Sequence, residues 1–279
     1  MSESIAIVVP TCNRKEITLR FIREISAQNS GMRIYVCDSD SKDGTVEVLS
    51  TLQWVEIVHV GAAAWWSAAV NRGIERAISQ GCSGLLIMND DIEFDSQLLT
   101  KLLEKHRQYP LSIISPLQDS PSGPFLGMRY FGWMKRIELL GDAESDVTVD
   151  TTNGCCLLVP QAVFSSVGKI DEIHCPHLYG DTEFQLRAGK RGFPIVACPS
   201  IRITQLGATD YYSRLKLGSM LTSPGSPVNF SAYFQFGVSL FGGGIYFLIF
   251  GVKYHYGYVK TLAKAVAHIV TRRAPRWST

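Results

Sequence analysis

Residues 85–91 read Leu-Leu-Ile-Met-Asn-Asp-Asp, an uncharged apolar run that ends abruptly in three polar side chains. A short apolar run of this kind predicts a buried strand. Asn89, Asp90 and Asp91 would then project from a rigid strand end into a cleft. Their oxygen atoms suit a hard divalent cation such as Mg²⁺ or Mn²⁺. This stretch therefore predicts a buried strand with a cation site at its end.

Strands and helices alternate on both sides of this stretch. Predicted strands lie at residues 5–9, 33–38, 55–60 and 111–115, and predicted helices lie at 15–28, from 44, at 69–80 and at 96–107. Strands that alternate with helices are joined by parallel crossovers, and helices then cover both faces of the sheet. We therefore predict an α/β fold with a Rossmann-like sheet.

The alternation ends after Pro116. The later pattern contains extended segments at 127–140 and 147–159, helices at 161–167 and 181–191, and a strand at 195–198. These segments predict a second, mixed part of the sheet. One sheet with its helices needs about 200 to 250 residues. The chain of 279 residues thus suits one α/β domain over residues 1–215 and an appended helical tail over residues 216–279.

Three predicted strands end in polar residues. The segments that follow them are 10–14, 38–45 and 89–91. Taken singly, each has a structural explanation as a helix cap, an ordinary turn or an Asx turn. In a parallel α/β sheet, however, ligands bind at the carboxyl ends of the strands. Because all three segments fall at that edge, we favour a ligand site.

Several short motifs, in order along the chain, resemble those of the family-two nucleotide-sugar glycosyltransferases of GT-A fold, especially their rhamnosyltransferase-like branch. The motifs are Pro-Thr-Cys-Asn-Arg at 10–14, Asp-x-x-Ser-x-Asp-Gly-Thr at 38–45, Asn-x-Gly-Ile at 71–74, Asn-Asp-Asp at 89–91, Asn-Gly-Cys-Cys-Leu-Leu at 153–158, Val-Gly-Lys-Ile-Asp-Glu at 167–172, and Tyr-Gly-Asp-Thr-Glu-Phe at 179–184 with Arg187. The resemblance covers about residues 5–205.

The resemblance implies a role for each matching residue. The nucleotide-sugar pocket would contain Pro10, Thr11, Arg14, Asp38, Asn71, Asn89 and Asp90. Within it, Asp38 would bond the base or ribose of the donor. Asp91, with Asn89 as a possible partner, would hold Mg²⁺ or Mn²⁺ on the diphosphate, and Asp181 occupies the position of the family's catalytic base. The implied reaction moves one sugar to an acceptor hydroxyl and inverts the anomeric configuration.

The chemistry accounts for these residue types. A sugar hydroxyl is a poor nucleophile, so a carboxylate must take its proton as it attacks the anomeric carbon. The departing nucleoside diphosphate gathers negative charge, which a metal and nearby donors stabilise. Two positions depart from the family pattern. Gly180 stands where an acidic residue is common, and Gln205 stands where a histidine often joins the metal, so we expect weaker metal dependence.

Two other functions stay open at this point. A nucleotidyltransferase also uses a parallel sheet and metal-binding carboxylates, but it should have a glycine-rich phosphate loop after the first strand. Residues 10–14 contain no glycine. The second alternative is a non-catalytic relative that binds a sugar nucleotide or carbohydrate. Gly180 and Gln205 keep it open, whereas the retention of Asp38, Asp91 and Asp181 favours an enzyme.

Three further side chains could contact the sugar or the acceptor. Trp65 and Trp66 precede a predicted helix, and paired indoles on a loop can stack on a sugar face. Since Trp is usually buried, a place in the core is an equal alternative. His177 flanks the approach to Asp181, and an ordinary loop histidine is the alternative there.

The tail has a separate character. Residues 217–252 contain no Asp, Glu, Lys, Arg or His, and residues 234–252 lie at the lower limit for a bilayer span, which needs about 20 residues. Lys260, Lys264, His268 and Arg272 then recur at every fourth position, opposite an apolar face. We expect shallow, peripheral membrane contact through this tail. A homodimer interface is the alternative.

Charge and cysteine content suggest the location. Six of the 27 Lys and Arg residues follow residue 252, where there is no acidic residue, and such a local basic segment suits an anionic membrane rather than nucleic acid. The seven cysteines form no CxxC pair, which is typical of reduced core thiols. With no leader-like N-terminus, we expect a cytoplasmic enzyme at the membrane face that acts in cell-surface polysaccharide or lipid-linked glycan assembly. The residues that read the sugar are expected within 116–150.

Overall fold

The computed structural model describes residues 4–28, 31–120, 123–206 and 216–273. Its first half contains strands that alternate with helices, as predicted. The elements are β1 Ile5–Thr11, α1 Lys15–Gln28, β2 Arg33–Asp38, α2 Thr45–Leu49, β3 Val55–His59, α3 Trp66–Ser79, β4 Gly84–Met88, β5 Ile92–Phe94, α4 Leu98–Gln108 and β6 Ile113–Asp119.

The second half completes the sheet and adds the helical tail. Its elements are β7 Gly127–Phe131, β8 Arg136–Leu140, β9 Val147–Val149, β10 Cys156–Pro160, α5 Gln161–Val167, α6 Gly180–Lys190, β11 Ile195–Gln205, a 3₁₀ turn at Leu217–Ser219, α7 Phe230–Phe241, α8 Gly244–Phe250 and α9 Val252–Arg273. Within the described ranges the main sheet has nine strands, and β7 and β8 form a separate hairpin.

The main sheet is mixed. Its order is β3-β2-β1-β4-β10-β6-β11-β5, and β9 pairs with β11. The strands β3, β2, β1 and β4 are parallel, whereas β10 runs antiparallel between β4 and β6. Strand β11 is parallel to β6 and antiparallel to β5 and β9. This is the expected Rossmann-like half followed by a mixed half.

Apolar side chains fill both faces of this sheet. All seven residues of β1 are buried, as expected for a parallel strand covered on two sides. Helix α1 turns Phe21, Ile22 and Ile25 toward one face, and α3 turns Val70 and Ile74 toward the other. All seven cysteines are free thiols, and every one except Cys12 is buried.

Some strand boundaries were predicted wrongly. Strand β6 continues through Pro116 to Asp119, and β11 continues to Gln205. The register between them shifts between Cys198 and Arg202, and an irregularity of this kind accommodates a proline that cannot donate to the ladder. The short strand β5 was not predicted.

The tail packs on α6 through α7. Leu186 of α6 with Phe236 and Leu240 of α7 form a small core of their own. Within the described residues, no single helix is both long enough and apolar enough to cross a bilayer. Helices α7 and α8 meet both conditions only as a pair, which is bent by 94°. The division at residue 215 stays a prediction, and residues 207–215 and 274–279, as well as the Arg272 side chain, lie outside the described part.

Candidate functional site

The polar strand ends lie together at one edge of the sheet. Thr11 at the end of β1 pairs with Asp38 at the end of β2. Strand β4, which leads into Asn89, Asp90 and Asp91, lies on the other side of β1. The three predicted polar segments are therefore neighbours, because the carboxyl ends of adjacent parallel strands meet.

Asp90 is an internal anchor of this edge. Its buried carboxylate accepts hydrogen bonds from the hydroxyls of Thr18 at 2.7 Å and Thr11 at 3.3 Å, and it pairs with the Arg14 guanidinium at 3.0 Å. Burial raises the pKa of Asp90, and Arg14 opposes that effect. Asp90 thus fixes the start of α1 against the end of β4, and a direct contact of Asp90 with the donor stays a prediction.

Asp91 has one carboxylate oxygen engaged and one unengaged. Its Oδ2 pairs with Arg14 at 3.1 Å. Its Oδ1 is buried and has no hydrogen-bond partner among the described residues. A buried acceptor without a donor is incomplete, and a cation would complete it.

The arrangement around Asp91 fits a particular kind of cation. Within the described ranges, no three His, Cys, Asp or Glu side chains form a metal cluster. The protein would therefore supply few ligands. That fits Mg²⁺ or Mn²⁺, which keep waters and share the oxygens of a substrate's phosphates.

The amide oxygens of Asn89 and Gln205 are already engaged. Asn89 Oδ1 accepts from Trp66 Nε1 at 2.8 Å, and Gln205 Oε1 accepts from Gln118 Nε2 at 2.9 Å. Gln205 nevertheless lies close to Asp91, because the amide of the next residue, Leu206, donates to the Asp91 carbonyl at 2.6 Å. Asn89 as a second metal ligand stays a prediction without support from this geometry.

Asp38 also keeps an unengaged oxygen. Its Oδ2 accepts from the Ser41 amide at 3.0 Å, while its Oδ1 is buried without a hydrogen-bond partner among the described residues. Asn13, in the loop after β1, accepts from the Lys42 amide at 2.7 Å and so ties this loop to the one after β2. Pro10 is buried in β1 opposite Cys37. A ribose hydroxyl or a base N–H could donate a hydrogen bond to this unengaged Oδ1 of Asp38.

Asp181 lies in the first turn of α6. Its Oδ2 accepts from the Gly154 amide at 2.7 Å. A Cβ on Gly154 would lie 2.6 Å from the Cβ of Asp181, so only glycine permits this approach. Protein atoms around the carboxylate desolvate it and raise the pKa of Asp181. A raised pKa makes a carboxylate a stronger base.

The residue before Asp181 explains one departure from the family pattern. A Cβ on Gly180 would lie 2.6 Å from Ser67 Oγ and 3.0 Å from the Cys175 carbonyl oxygen. A side chain at this position would require Ser67 to move and the Cys175 carbonyl to give way. Tyr179 precedes it with a φ of 65°, an uncommon left-handed conformation for a residue with a side chain. The helix with the candidate base therefore begins in a tightly packed, strained turn.

Cys155 connects the two carboxylates. The Asn89 amide donates to the Cys155 carbonyl at 2.9 Å, which joins the end of β4 to the segment before β10. Burial raises the pKa of the Cys155 thiol, and the charges of Asp91 and Asp181 raise it further. The Cys155 thiol is thus close enough to both carboxylates to feel their charge. The predicted metal ligand, Asp91, and the predicted base, Asp181, therefore both lie near Cys155.

The other predicted residues divide into two groups. Asn71 is buried, and its amide bonds Glu172 and both main-chain polar groups of Ile170. It ties α3 to a loop, and its predicted donor contact has no support here.

Trp65 is 41% exposed and its ring lies 5.3 Å from that of His177. These two rings remain candidates for sugar or acceptor contact.

The sequence prediction missed Thr18 and left Gly154 without a role. Thr18 lies one helical turn after Arg14, and its hydroxyl also bonds the Arg14 carbonyl at 3.0 Å. The i to i+4 spacing of Arg14 and Thr18 on one helix face was the available signal. For Gly154, only the approach of a distant helix explains the glycine, and no local pattern indicates it.

Two sequence comparisons relate this chain to known proteins. The model of glycosyl transferase family 2 matches residues 6–168. The low-salt glycan biosynthesis hexosyltransferase Agl10 of Haloferax volcanii is 22% identical over 187 residues, which cover 63% of this chain and 60% of Agl10. The chain therefore spans less than two thirds of that relative's length.

Solved structures show the same fold. GalNAc-T7 with UDP, GalNAc and Mn²⁺ aligns with a TM-score of 0.62 at 13% identity, over 74% of this chain and 44% of its own. The mannosyltransferase PcManGT from Pyrobaculum calidifontis, in complex with GDP-Man and Mn²⁺, aligns with a TM-score of 0.60 at 13% identity, over 98% and 75%. S. aureus TarS 1–349 aligns with a TM-score of 0.57 at 10% identity, over 86% and 66%.

These identities are low, so the likeness shows the fold alone, and the predicted GT-A fold is confirmed. The family model, in contrast, spans β1 to the end of α5 and includes the edge with Asp38, Asp90 and Asp91. It covers more than half of the 279 residues. The chain belongs to glycosyl transferase family 2.

Proposed function

We propose that this protein transfers one sugar from a nucleoside diphosphate donor to an acceptor hydroxyl, with Asp181 as the base. The observation that carries the proposal is that Asp181 and the Asp91 segment are bonded to consecutive residues. The Gly154 amide donates to the desolvated Asp181 carboxylate, and the Cys155 carbonyl accepts from the amide of Asn89, two residues before the incompletely bonded Asp91. Family membership and the hexosyltransferase named among its relatives support this reaction.

The donor would bind at the edge formed by β1, β2 and β4. Asp38 offers an unengaged oxygen to the base or ribose, and Arg14 offers a half-exposed guanidinium to a phosphate. Asp91 would hold Mg²⁺ or Mn²⁺, as the Mn²⁺ in the GalNAc-T7 and PcManGT complexes suggests. When bound, the metal would supply positive charge for the diphosphate.

The acceptor side would centre on Asp181. The carboxylate takes the proton of the acceptor hydroxyl as that oxygen attacks the anomeric carbon, and the bond to the diphosphate oxygen breaks in the same step. One such displacement inverts the anomeric configuration. The Gly154 amide keeps the carboxylate in place, and the neighbouring rings of Trp65 and His177 would offer a stacking surface to a sugar ring.

The acceptor is proposed to be a lipid-linked or membrane-proximal glycan. The tail combines exposed apolar residues with lysines on α9, and this composition supports peripheral contact with an anionic bilayer. The buried free thiols support a reducing compartment and hence the cytoplasmic face. A role in surface polysaccharide or glycan assembly agrees with the glycan biosynthesis named for Agl10.

The decisive experiment compares the wild-type protein with Asp181→Asn. Release of nucleoside diphosphate from a panel of nucleotide sugars, with and without Mn²⁺, measures turnover, and calorimetric titration measures donor binding. We expect Asp181→Asn to abolish turnover and to leave donor binding nearly unchanged. Asp142→Asn, which alters an exposed carboxylate paired with Arg202, serves as the matched control. Equal turnover in Asp181→Asn would refute the base.

The second candidate function is a non-catalytic sugar-nucleotide or carbohydrate-binding protein. It is favoured by the engaged oxygen of Gln205 in the place of a possible metal ligand. The same experiment separates the two. Donor binding by the wild-type protein without turnover of any nucleotide sugar would support the binding protein and contradict the enzyme.

A further inference from the structure

The hairpin of β7 and β8 carries large apolar side chains that the protein does not cover. Trp133 and Leu139 are each 68% exposed, Phe131 is 45% exposed and Met134 is 42% exposed. Single exposed apolar residues are common on protein surfaces, but four on one short hairpin, three of them within residues 131–134, indicate an interaction site. The hairpin belongs to a part of the chain that was expected to read the sugar.

The tip of this hairpin contacts the tail. The Trp133 ring meets the Phe250 ring edge-on, with centroids 5.2 Å apart. The Tyr254 hydroxyl donates to the Lys135 carbonyl at 2.5 Å. Phe250 ends α8 and Tyr254 lies in the first turn of α9. Two elements more than 100 residues apart in sequence therefore form one continuous surface.

The tail's share of this surface is amphipathic. On α8, Ile245, Leu248 and Ile249 are 62%, 58% and 55% exposed. On α9, the 3.6-residue period puts Val252, Tyr256 and Val259 on one exposed face. It puts a row of lysines about a quarter turn away, namely Lys253, Lys260 and Lys264. Lys260 also lies 4.6 Å from the Tyr256 ring centre.

We propose that the hairpin tip and helices α8 and α9 together dock on an anionic bilayer surface, with Trp133 as a second anchor beside the tail. This inference rests on the membrane contact proposed for the tail and extends it to a second element. Trp and Tyr prefer the headgroup level of a bilayer. Each lysine near anionic lipid strengthens the contact about fivefold.

The charges favour lipid over a second copy of the chain. Residues 216–279 contain no Asp or Glu. In a symmetric dimer the same patch meets itself, so the lysines of α9 would face each other without acidic partners from this segment. An anionic bilayer instead supplies the opposite charge along the whole row.

Docking through the hairpin would also orient the candidate active site. At the base of the hairpin, the Met128 amide donates to the Thr151 carbonyl at 2.8 Å, and the Tyr130 amide donates to Asp150 at 2.7 Å. Three residues after Thr151 the chain reaches Gly154, which holds Asp181. The bilayer contact and the candidate base are thus joined by a short, hydrogen-bonded segment, as a lipid-linked acceptor would require.

The test measures co-sedimentation of the full chain with phosphatidylcholine vesicles, with and without phosphatidylglycerol, in the absence of any nucleotide sugar. We expect binding that depends on phosphatidylglycerol, and Trp133→Ser should weaken it about tenfold because a large apolar anchor is lost. Trp54→Ser is the matched control, because Trp54 is also an exposed tryptophan, at 53%, and lies in the loop before β3, outside the proposed surface. The double variant Lys260→Ala with Lys264→Ala should weaken only the part of vesicle binding that depends on phosphatidylglycerol.

Each outcome decides between explanations. Unchanged vesicle binding by Trp133→Ser, with loss in the lysine variant, would overturn the hairpin's role and leave the tail's contact standing. A wild-type protein that ignores vesicles but forms a dimer sensitive to Trp133→Ser would identify a second copy as the occupant. Turnover with a water-soluble acceptor should be unchanged in Trp133→Ser, and its loss would assign the hairpin to the sugar site. Absent turnover with normal vesicle binding would instead refute only the proposed enzyme.

Discussion

The donor side and the acceptor side of the candidate site are held in place differently. On the donor side, Asp90 and Asp91 are fixed by Arg14 and Thr18 at the start of α1, within the parallel half of the sheet. On the acceptor side, Asp181 lies on α6, and that helix packs against α7 of the tail. The acidic side chains of the donor side are therefore held by residues of the first half of the chain, whereas the acceptor side depends on residues near its end.

The contacts between α6 and α7 are specific. Glu183, two residues after Asp181, is fully buried and accepts from Ser239 Oγ at 2.7 Å and from Arg187 Nε at 2.8 Å. Tyr179, in its left-handed conformation, stacks on Phe236 with ring centres 5.3 Å apart. Helix α7 thus stabilises the strained turn that precedes the candidate base. The tail is part of the active-site support as well as a candidate membrane anchor.

After the abolished turnover expected for Asp181→Asn, the largest effect is expected on the donor side. Asp91→Ala should lower turnover about 1,000-fold, because several kcal/mol of charge stabilisation is lost with the metal. Donor binding should lose its response to Mn²⁺ in the same variant. Calorimetric titration with and without Mn²⁺ checks this, and Asp119→Ala, at an exposed carboxylate paired with Arg202, is the control. Metal dependence that survives in Asp91→Ala would remove Asp91 from the metal site.

A smaller effect is expected from Gly154→Ala on the acceptor side. The new methyl group would lie 2.6 Å from Asp181, so the base must move. A displacement of about 1 Å costs about 100-fold in kcat, while the donor side should keep its affinity. Steady-state kinetics with direct donor titration separates the two. A parallel loss of donor affinity would show that the two sides are not independent.

The sequence predicts the donor side better than the acceptor side for a physical reason. Strand periodicity places Thr11, Asp38 and Asp91 at one edge, because neighbouring parallel strands share their carboxyl ends. Nothing local indicates that Gly154 approaches α6 or that Ser239 bonds Glu183. Those contacts join segments 27 and 56 residues apart, and only the packed structure brings them together.

The predicted residues whose roles this geometry does not support follow the same rule. Asn71 and Asn89 were predicted from motif positions, but their amide oxygens are used by neighbouring elements. A motif gives the residue type and not its hydrogen-bond partners. Strand ends such as Asp119 and Gln205 were missed because Pro116 and the register shift near Cys198 interrupt the local pattern. Tertiary pairing overrides such local signals.

A moderate effect is expected when the tail's support of α6 is weakened. Ser239→Ala removes one hydrogen bond to the buried Glu183 carboxylate, which should cost about 2 kcal/mol of folding stability. We expect kcat to fall about tenfold as the start of α6 loosens, with unchanged donor affinity. Ser79→Ala, which removes a hydroxyl bonded within α3, is the control. Equal losses in kcat and donor affinity would contradict a role confined to the acceptor side.

The smallest effect is a pH-dependent gain in stability. The folded-state pKa of Asp181 is raised by desolvation, so the folded protein binds this proton more tightly than the unfolded chain does. The stability that this tighter proton binding contributes is present below the unfolded-state pKa of Asp181. It is lost as pH rises through the raised folded-state pKa. At neutral pH the charged, desolvated group therefore costs stability. Asp181→Asn can still accept the Gly154 hydrogen bond, and it should raise Tm slightly at neutral pH.

The pH course of that gain tests its cause. Thermal unfolding of both proteins from acid to neutral pH should show a Tm difference that shrinks as pH falls, because wild-type Asp181 then becomes neutral as well. The acid limb of the wild-type kcat profile should lie above the range of an ordinary aspartate for the same reason. Asp90, whose pKa is also raised, is present in both proteins and cancels in the difference. A Tm difference that is constant across this range would show that desolvation of Asp181 is not what sets its basicity.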